Sequence, residues 1–259
     1  MVTTRTASRA AAVLLLTLTT LVVGCGRSNQ PTPPPCKPLT APRPTSSPSV
    51  VAPDGGQLRV VEQGFIRLAD APYVMVGAII ENPTGHTAHD IPITVTLVDA
   101  AGGTIPDPVD QPLARQTIAT IPAGGRTGFA AILSHMETAT NEVIPPADAP
   151  IAIGASTWTD TSVAVPVVSD LALRVTTDSA SGKIYGGETF TLASGGCDNV
   201  PGNTAATIFR DHTGTIIGGS VDTMSPAVCP AQPRTIHISL ALIPPGIDTT
   251  RTTVYPNCG

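Results

Sequence analysis

Hydrophobic and polar residues alternate with a period of two in three stretches of the chain. The clearest stretch runs from Ile91 to Leu97, where isoleucine, valine and leucine occupy every second position. The same alternation recurs from Leu171 to Val175 and from Ile236 to Leu242. Because successive side chains of a strand point to opposite faces, this pattern predicts half-buried strands of antiparallel sheets.

Short turn signals separate the apolar runs. They are NPTG at position 82, DAAGG at 99, PAGG at 122, DHTG at 211 and PPG at 244. Glycine and proline at such spacing end strands and allow the chain to reverse. No long stretch has the periodicity of a helix, so the sequence predicts an all-β fold built from sandwiches.

Three short motifs recur in the same order, at offsets of 115, 112 and 99 residues. The pairs are Leu58-Arg59-Val60 with Leu173-Arg174-Val175, Asp99-x-x-Gly102 with Asp211-x-x-Gly214, and Ile144-Pro145-Pro146 with Ile243-Pro244-Pro245. The repetition predicts two copies of one β-sandwich module, at 57–166 and 167–259. Each copy has about the length of an immunoglobulin-like (Ig-like) sandwich, which is ~100 residues.

The N-terminus has the pattern of a secretory signal. Arg5 and Arg9 precede an apolar run from Ala10 to Val23, which as a helix would reach only ~21 Å and so would not span the ~30 Å hydrocarbon core. The end of this run, Val22-Val23-Gly24-Cys25, resembles the lipobox of bacterial lipoproteins. The resemblance implies a signal peptide at 1–24 and a diacylated Cys25 as the new N-terminus.

The resemblance also implies a location. Each buried CH₂ group of an acyl chain contributes ~0.8 kcal/mol, so two long chains hold a domain firmly at a membrane. We therefore expect an extracytoplasmic protein that is attached to the cell membrane by its N-terminal lipid. The alternative is an ordinary cleaved signal with a cysteine nearby by chance.

A proline-rich linker follows at 25–56. Nine prolines occur between Gly26 and Gly55, among serine and threonine. Such a composition cannot bury enough apolar surface to fold, so we expect a disordered linker. In the polyproline II conformation thirty residues would extend up to ~90 Å, which predicts a stalk that lifts the folded part away from the membrane.

Charge and composition narrow the classes of partner. The net charge is −5, and loss of the two arginines of the signal leaves 12 cations and 19 acids, a net charge of 12 − 19 = −7. This acidic balance disfavours nucleic-acid binding, which needs cations to neutralise phosphates. Abundant alanine, threonine, proline and valine are typical of exported proteins of high-GC actinobacteria.

Residues 58–133 resemble the FxLYD-type Ig-like domains of bacterial surface proteins. The matching features are Ile80-Glu81-Asn82, an apolar strand that ends in asparagine, and the hairpin from Val95 to Gly102. Ile66-Arg67-Leu68-Ala69-Asp70 stands where the signature falls, with both aromatic residues replaced. The resemblance implies an envelope-exposed β-sandwich of unassigned activity and brings no catalytic residues.

Four cysteines remain besides Cys25, an even number in an oxidising compartment. Cys36, Cys197, Cys229 and Cys258 allow three disulfide connectivities. The sequence favours Cys197 with Cys229, both in loops of the second module, and Cys36 with Cys258. The long spacings and the absence of a CxxC pair disfavour a cysteine-based metal site.

His86, His89 and Asp90, in GHTAHD, form the tightest cluster of potential metal ligands. Imidazole and carboxylate groups at this spacing could hold Zn²⁺ or Cu²⁺ if a fourth ligand joined them. The competing interpretation is a polar loop between two strands. His135-Met136 is a weaker Cu(I) candidate, His212 falls in a hairpin turn and His237 on the polar side of a strand.

No motif of nucleophilic catalysis or nucleotide binding occurs in the sequence. We therefore predict a protein that is not an enzyme, needs no cofactor, and binds an envelope protein or a wall polymer. The alternative prediction is a lipoprotein that binds a metal or small molecule through the His86/His89/Asp90 loop. Trp158, the only tryptophan, is expected to fill the first core or the joint between modules.

Overall fold

The computed structural model describes residues 57–69, 73–105, 114–134, 144–180 and 182–259. The predicted signal peptide, Cys25, the proline-rich linker, Cys36 and His135-Met136 lie outside these residues. All regular structure in the described ranges is β, which confirms the predicted all-β class. The described residues all belong to one compact unit.

Fifteen strands occur in the described residues. Their bounds are β1 Arg59–Arg67, β2 Tyr73–Glu81, β3 Thr87–Val95, β4 Arg115–Ile121, β5 Arg126–Ser134, β6 Ile151–Ile153, β7 Thr157–Thr159, β8 Val167–Thr177, β9 Ile184–Ala193, β10 Val200–Pro201, β11 Thr204–Arg210, β12 Ile216–Thr223, β13 Val228–Cys229, β14 Arg234–Leu240 and β15 Thr253–Pro256.

Within the described ranges the strands form four larger antiparallel sheets. Sheet I contains β4 and β3, with β6 and β7 both paired to the other edge of β3. Sheet II has the order β1-β2-β5, sheet III the order β12-β11-β15, and sheet IV the order β14-β9-β8. A short ladder joins β10 to β13.

The four sheets stack in the order I, II, III, IV, with an apolar layer between each neighbouring pair. Between sheets I and II lie Ile91, Ile93, Val76, Ile80, Phe129 and Trp158. Between sheets II and III lie Ile79, Ala130, Ala206, Ile208 and Ile216. Between sheets III and IV lie Ala205, Phe209, Phe190, Leu192, Ile236 and Ile238. Trp158 therefore fills the layer between the first two sheets.

The alternation predicts burial well in β3 and β14, but in β8 the side chains of Leu171 and Leu173 are only half-buried and that of Val175 is exposed. In β3 the side chains of Ile91, Ile93 and Val95 are buried, and in β14 those of Ile236, Ile238 and Leu240 are buried. β2 differs, because seven consecutive residues from Val74 to Ile80 are buried. This strand lies in an inner sheet, so both of its faces are covered.

Sheets II and III approach so closely that glycine is required at their contact. A Cβ atom at Gly77 would overlap the carbonyl group of Gly218, and one at Gly64 would overlap that of Ile216. A Cβ atom at Gly219 would lie 2.8 Å from the Cβ of Ala130. Side chains at these positions would force the two backbones apart.

The two predicted Asp-x-x-Gly hairpins have the same geometry. Oδ1 of Asp99 accepts hydrogen bonds from the backbone N–H groups of Ala101 and Gly103, both at 2.8 Å. Oδ1 of Asp211 accepts from the N–H groups of Thr213 at 2.9 Å and Thr215 at 3.0 Å. Gly102 and Gly214 have φ angles of 83° and 93°, which favour glycine.

The predicted disulfide connectivity is wrong. Cys229 is bonded to Cys258, with their Cα atoms 5.9 Å apart, so neither the Cys197–Cys229 nor the Cys36–Cys258 bond of that prediction exists. β13 ends at Cys229 and the chain after β15 passes beside it, a juxtaposition that sequence spacing does not reveal. Cys197 is also disulfide-bonded.

Candidate functional site

The GHTAHD segment does not gather its three potential ligands. His86 precedes β3, and its Nδ1 lies in hydrogen-bond contact with Oδ1 of Asp160 in the segment after β7. His89 lies within β3, and Nδ1 and Nε2 of its ring are 3.2 Å from Oγ1 of Thr120 and 3.0 Å from Oγ1 of Thr159. Asp90 follows His89 with a φ of 51°, which interrupts the alternation of β3, and its side chain is exposed and forms no hydrogen bond with the His89 ring.

The surroundings of His89 favour a neutral ring. Burial lowers the pKa of His89, and the nearby Asp90 carboxylate opposes this effect only in part. Both ring nitrogens are occupied by threonine hydroxyls, so neither is turned toward an open coordination position. Among the residues that the structure describes, no three His, Cys, Asp or Glu side chains lie close enough to hold a metal ion.

Asn82, at the end of β2, organises the loop that carries His86. Its Nδ2 donates to the carbonyl oxygens of His86 at 2.7 Å, Pro122 at 3.0 Å and Ile121 at 3.1 Å. Its Oδ1 accepts from the N–H and Oγ1–H of Thr84 at 3.1 and 2.7 Å. This buried amide ties the β2–β3 loop to the β4–β5 turn.

A groove of about 480 Å³ opens beside that turn. It is bounded by the β4–β5 turn, by the strand-free segment 161–166 between β7 and β8, by Ser194 and Val200, and by the chain from Val254 to Gly259. The predicted boundary between modules, at 166/167, therefore falls on the groove wall. The walls combine parts of both halves of the chain.

The groove lining is mainly apolar. It includes Val163, Val165, Val168, Val200, Val254 and Tyr255. Val165 is 57% exposed, although large apolar residues usually avoid water. Gly195, with a φ of 78°, allows the loop after β9 to pass directly over the Val165 carbonyl group.

Among the described residues of the lining, the only charged side chain is that of Arg126, and an acidic neighbour neutralises it. Arg126 lies 2.8 Å from Oε1 of Glu81, and Glu81 also pairs with Arg59 at 2.5 Å. The hydrogen bond from Arg126 lowers the pKa of Glu81 most, and that from Arg59 lowers it further. The groove therefore has an apolar interior and a charge-balanced edge.

Apart from the groove, a buried polar site is enclosed between sheets III and IV. Glu188 on β9 is 1% exposed, and its Oε1 accepts a 2.7 Å hydrogen bond from Oγ1 of Thr207. Its Oε2 has no hydrogen-bond partner. Asp222 lies nearby and is hydrogen-bonded by Ser220.

This environment disfavours ionised carboxylates. Burial raises the pKa of Glu188 to about 7, opposed by the Thr207 hydrogen bond and reinforced by the Asp222 charge. Burial also raises the pKa of Asp222. The site can exchange protons near neutral pH, but it is closed to any molecule the size of a substrate.

Sequence reasoning missed both sites, for different reasons. The groove is assembled from four segments between 120 and 259, and none of them carries a motif. Glu188 could have been found, since it has the same parity in β9 as the buried Phe190 and Leu192 and so points inward. His237 lies on the exposed face of β14, and His212 lies in the β11–β12 hairpin, as predicted.

The described part of the chain contains no helix long and apolar enough to cross a membrane. No protein-family profile, curated protein or solved structure matches this chain. The resemblances to the lipobox and to FxLYD-type domains therefore stay predictions.

Proposed function

We propose that this protein is a non-enzymatic binding lipoprotein of the bacterial cell envelope, anchored by a diacylated Cys25. It binds an extended segment of another envelope protein in the groove lined by Val163 and Val165. The observation that carries this proposal is the open, apolar groove, whose walls keep valine side chains in contact with water.

The duplicated strand order supports two modules of one design. In the first half, β1-β2-β5 form one sheet and β4-β3-β6 the other. In the second half, β8-β9-β14 and β12-β11-β15 follow the same order when the strands of each half are numbered along the chain without the short strands β7, β10 and β13. Pairing of the second strand with the fifth, and of the third with the sixth, is also the pairing of Ig-like sandwiches.

The chemistry of the groove favours a polypeptide over a wall polymer. Glycans bind through many hydrogen bonds and aromatic stacking, whereas the surface of this lining is mainly apolar, its polar groups are chiefly the hydroxyls of three threonines and two serines, and it has one aromatic side chain, Tyr255. An extended peptide with small apolar residues would fill such a groove and leave the Glu81–Arg126 pair at its rim.

The polar sites support binding rather than catalysis. A general acid or base must reach a substrate, but Glu188 is enclosed between two sheets. His89 is held by two threonine hydroxyls and kept neutral by burial. We assign both groups to the structure of the protein and not to a reaction.

In-cell photo-crosslinking tests the proposal. A photoreactive amino acid at position 165 of the full-length, tagged protein should form a stoichiometric adduct with one envelope protein. The same amino acid at Val175, an exposed valine of β8 outside the groove, is the matched control. An adduct at 165 that is absent at 175 and lost with Val163→Glu supports the proposal.

Two outcomes would contradict it. Adducts of equal yield at positions 165 and 175 would mean that the groove has no special role. A wall polymer captured at position 165 in place of a protein would overturn the assignment of the partner. A Cys25→Ala version, run in parallel, reports whether binding requires the anchor.

A further inference from the structure

The strand β15 forms one edge of sheet III and borders the groove. In the described part of the chain β15 pairs only with β11, and Val254, Tyr255 and Pro256 line the groove. The outer edge of β15 therefore has no strand beside it among the described residues. An open edge of this kind presents a row of unpaired backbone N–H and C=O groups.

The hydrogen bonds to β11 show which groups of β15 point outward. Just beyond the strand, the N–H of Asn257 donates to the carbonyl oxygen of Thr204 at 2.9 Å. Bonded and non-bonded pairs alternate along an antiparallel ladder, so the next bonded pair is Ala206 with Tyr255. Val254, one residue before Tyr255, therefore directs its N–H and C=O groups away from β11.

Pro256 has the same orientation as Val254 and fits an open edge. Proline lacks an N–H group, so a strand accepts it where that group would point away from the ladder. The outer edge of β15 thus offers one donor, the N–H of Val254, and two acceptors, the carbonyl oxygens of Val254 and Pro256. Val254 is buried, and buried backbone groups normally have partners.

Another wall of the groove also has unpaired backbone groups. It is the segment from Ser162 to Val165, whose N–H groups form no hydrogen bond with any residue that the structure describes. The segment is held at both ends, since Oγ1 of Thr87 donates to the carbonyl oxygen of Thr161 at 2.8 Å and β8 begins at Val167. The groove is therefore bordered by two stretches of backbone that lack partners.

We infer that the groove binds its polypeptide as an added strand, which pairs through its backbone with the outer edge of β15 and extends sheet III from three strands to four. This inference rests on the proposed function, in which an extended segment occupies the groove. Pairing of backbones supplies the affinity in such binding, and pockets for alternate side chains supply the preference for sequence.

The lining defines the chemistry of the added strand. Its alternate side chains meet aliphatic groups such as Val168, Val200 and Val254, which favours small apolar residues at every second position. The only charged side chain of the described lining, that of Arg126, is already paired with Glu81, so we expect the strand to be uncharged. The residue that donates to the Val254 carbonyl cannot be proline.

Amide hydrogen exchange of the full-length protein tests the open edge without any ligand. The N–H of Val254 should exchange about tenfold or more faster than those of Thr253 and Tyr255, which are bonded to β11. Exchange of Val254 as slow as that of Tyr255 would overturn the inference, because the edge would then already have a partner.

An uncharged peptide with alternating side chains, Thr-Val-Thr-Val-Thr with blocked ends, is the probe for binding. It should slow the exchange of the Val254 N–H. The same peptide with every backbone nitrogen methylated keeps the side chains but has no N–H to donate, so it should have no effect. No slowing by the first peptide, or equal slowing by both, would overturn backbone pairing.

Two variants of one residue isolate the donor of the edge. Val254→Pro removes the N–H that points into the groove, whereas Val254→Ala shortens the side chain and keeps the N–H. Because Pro256 already occupies the same orientation, we expect both variants to fold, which denaturant unfolding checks. The labelled probe peptide should bind Val254→Pro about tenfold more weakly than Val254→Ala. Equal affinities would contradict the inference.

Photo-crosslinking in cells separates this inference from the proposed function. With the photoreactive amino acid at position 165, Val254→Pro should give less adduct than Val254→Ala. Equal yields of the adduct from the two variants would leave the proposed function standing and overturn backbone pairing. Absence of an adduct without any change at Val254 would overturn the proposed function, and the exchange and peptide measurements would still decide whether the edge accepts a strand.

Discussion

Glu188 shows how one residue can make the stability of a β-sandwich depend on pH. Among the described residues its carboxyl group has a single hydrogen-bond donor, Thr207, and it lies within the apolar layer between sheets III and IV. Moving a carboxylate out of water without full compensation favours the protonated form. The pKa of about 7 in the folded protein is therefore well above the ordinary value of 4.5.

We predict that the protein loses stability as pH rises through this interval. Below about pH 4.5 the carboxyl group is protonated in both states and has no effect. Between about 4.5 and 7 the unfolded state releases the proton first, so the free energy of unfolding falls, by on the order of 3 kcal/mol once both states are ionised. Asp222, with its raised pKa, acts in the same direction, whereas His89, with its lowered pKa, acts in the opposite direction.

Urea denaturation of Glu188→Gln at pH 5 and pH 8 checks this prediction. The amide cannot ionise, so most of the difference in midpoint between the two pH values should disappear. Asp170→Asn makes the same chemical change at an exposed position and should keep the wild-type difference. An unchanged pH dependence in Glu188→Gln would assign the effect to another group.

At the scale of elements, the most constrained contact is that between sheets II and III. β2 contributes Gly77 and β12 contributes Gly218 and Gly219, so that the backbones of the two inner sheets touch at these positions, beside the apolar side chains that fill the rest of the contact. Glycine normally weakens a strand, because it adds no packing and has more freedom when unfolded. Here close contact between the backbones compensates for that loss.

We expect Gly77→Ala to destabilise the protein by about 1–3 kcal/mol, because the new methyl group overlaps the Gly218 carbonyl. Gly85→Ala is the matched control, since a Cβ atom there meets nothing within 4 Å. The midpoints of denaturant unfolding of both variants measure the difference. A Gly77→Ala protein as stable as the control would show that the two sheets can separate without cost.

At the scale of the whole molecule, the C-terminal segment connects the two halves. Oδ1 of Asn257 accepts from the N–H of Ala119 on β4 at 2.8 Å, and the N–H of Asn257 donates to the carbonyl oxygen of Thr204 at 2.9 Å. The next residue, Cys258, is bonded to Cys229. The segment thus joins sheet I to sheet III beside the groove.

Loss of the Cys229–Cys258 bond should lower the free energy of unfolding by about 2–4 kcal/mol, because it closes a loop of 29 residues. Cys258→Ser removes the bond and leaves the buried Cys229 in place as a small apolar residue. Thermal unfolding with and without reductant measures the effect. Unfolding of Cys258→Ser that matches the unreduced wild type would contradict it.

The features that depend only on residues close together in the chain, namely strand faces and hairpin turns, could be predicted from the sequence. The alternation from Ile91 to Val95 predicted the buried face of β3, and the Asp99 and Asp211 motifs predicted two hairpins with the same hydrogen bonds. These predictions are confirmed because side-chain direction and turn geometry are set within a few residues.

The contacts between sheets, and between segments that are distant in the chain, could not be predicted from the sequence and are seen only in the structure. The continuous burial of β2, the contact at Gly77, the groove and the Cys229–Cys258 bond all join residues that are distant in the chain. Alternation of apolar residues predicts that one face of a strand is buried, but not which sheet covers it. The spacing of cysteines along the chain does not predict which of them form a disulfide. These residues come together because whole sheets pack against each other, and that packing depends on residues that are far apart in the chain.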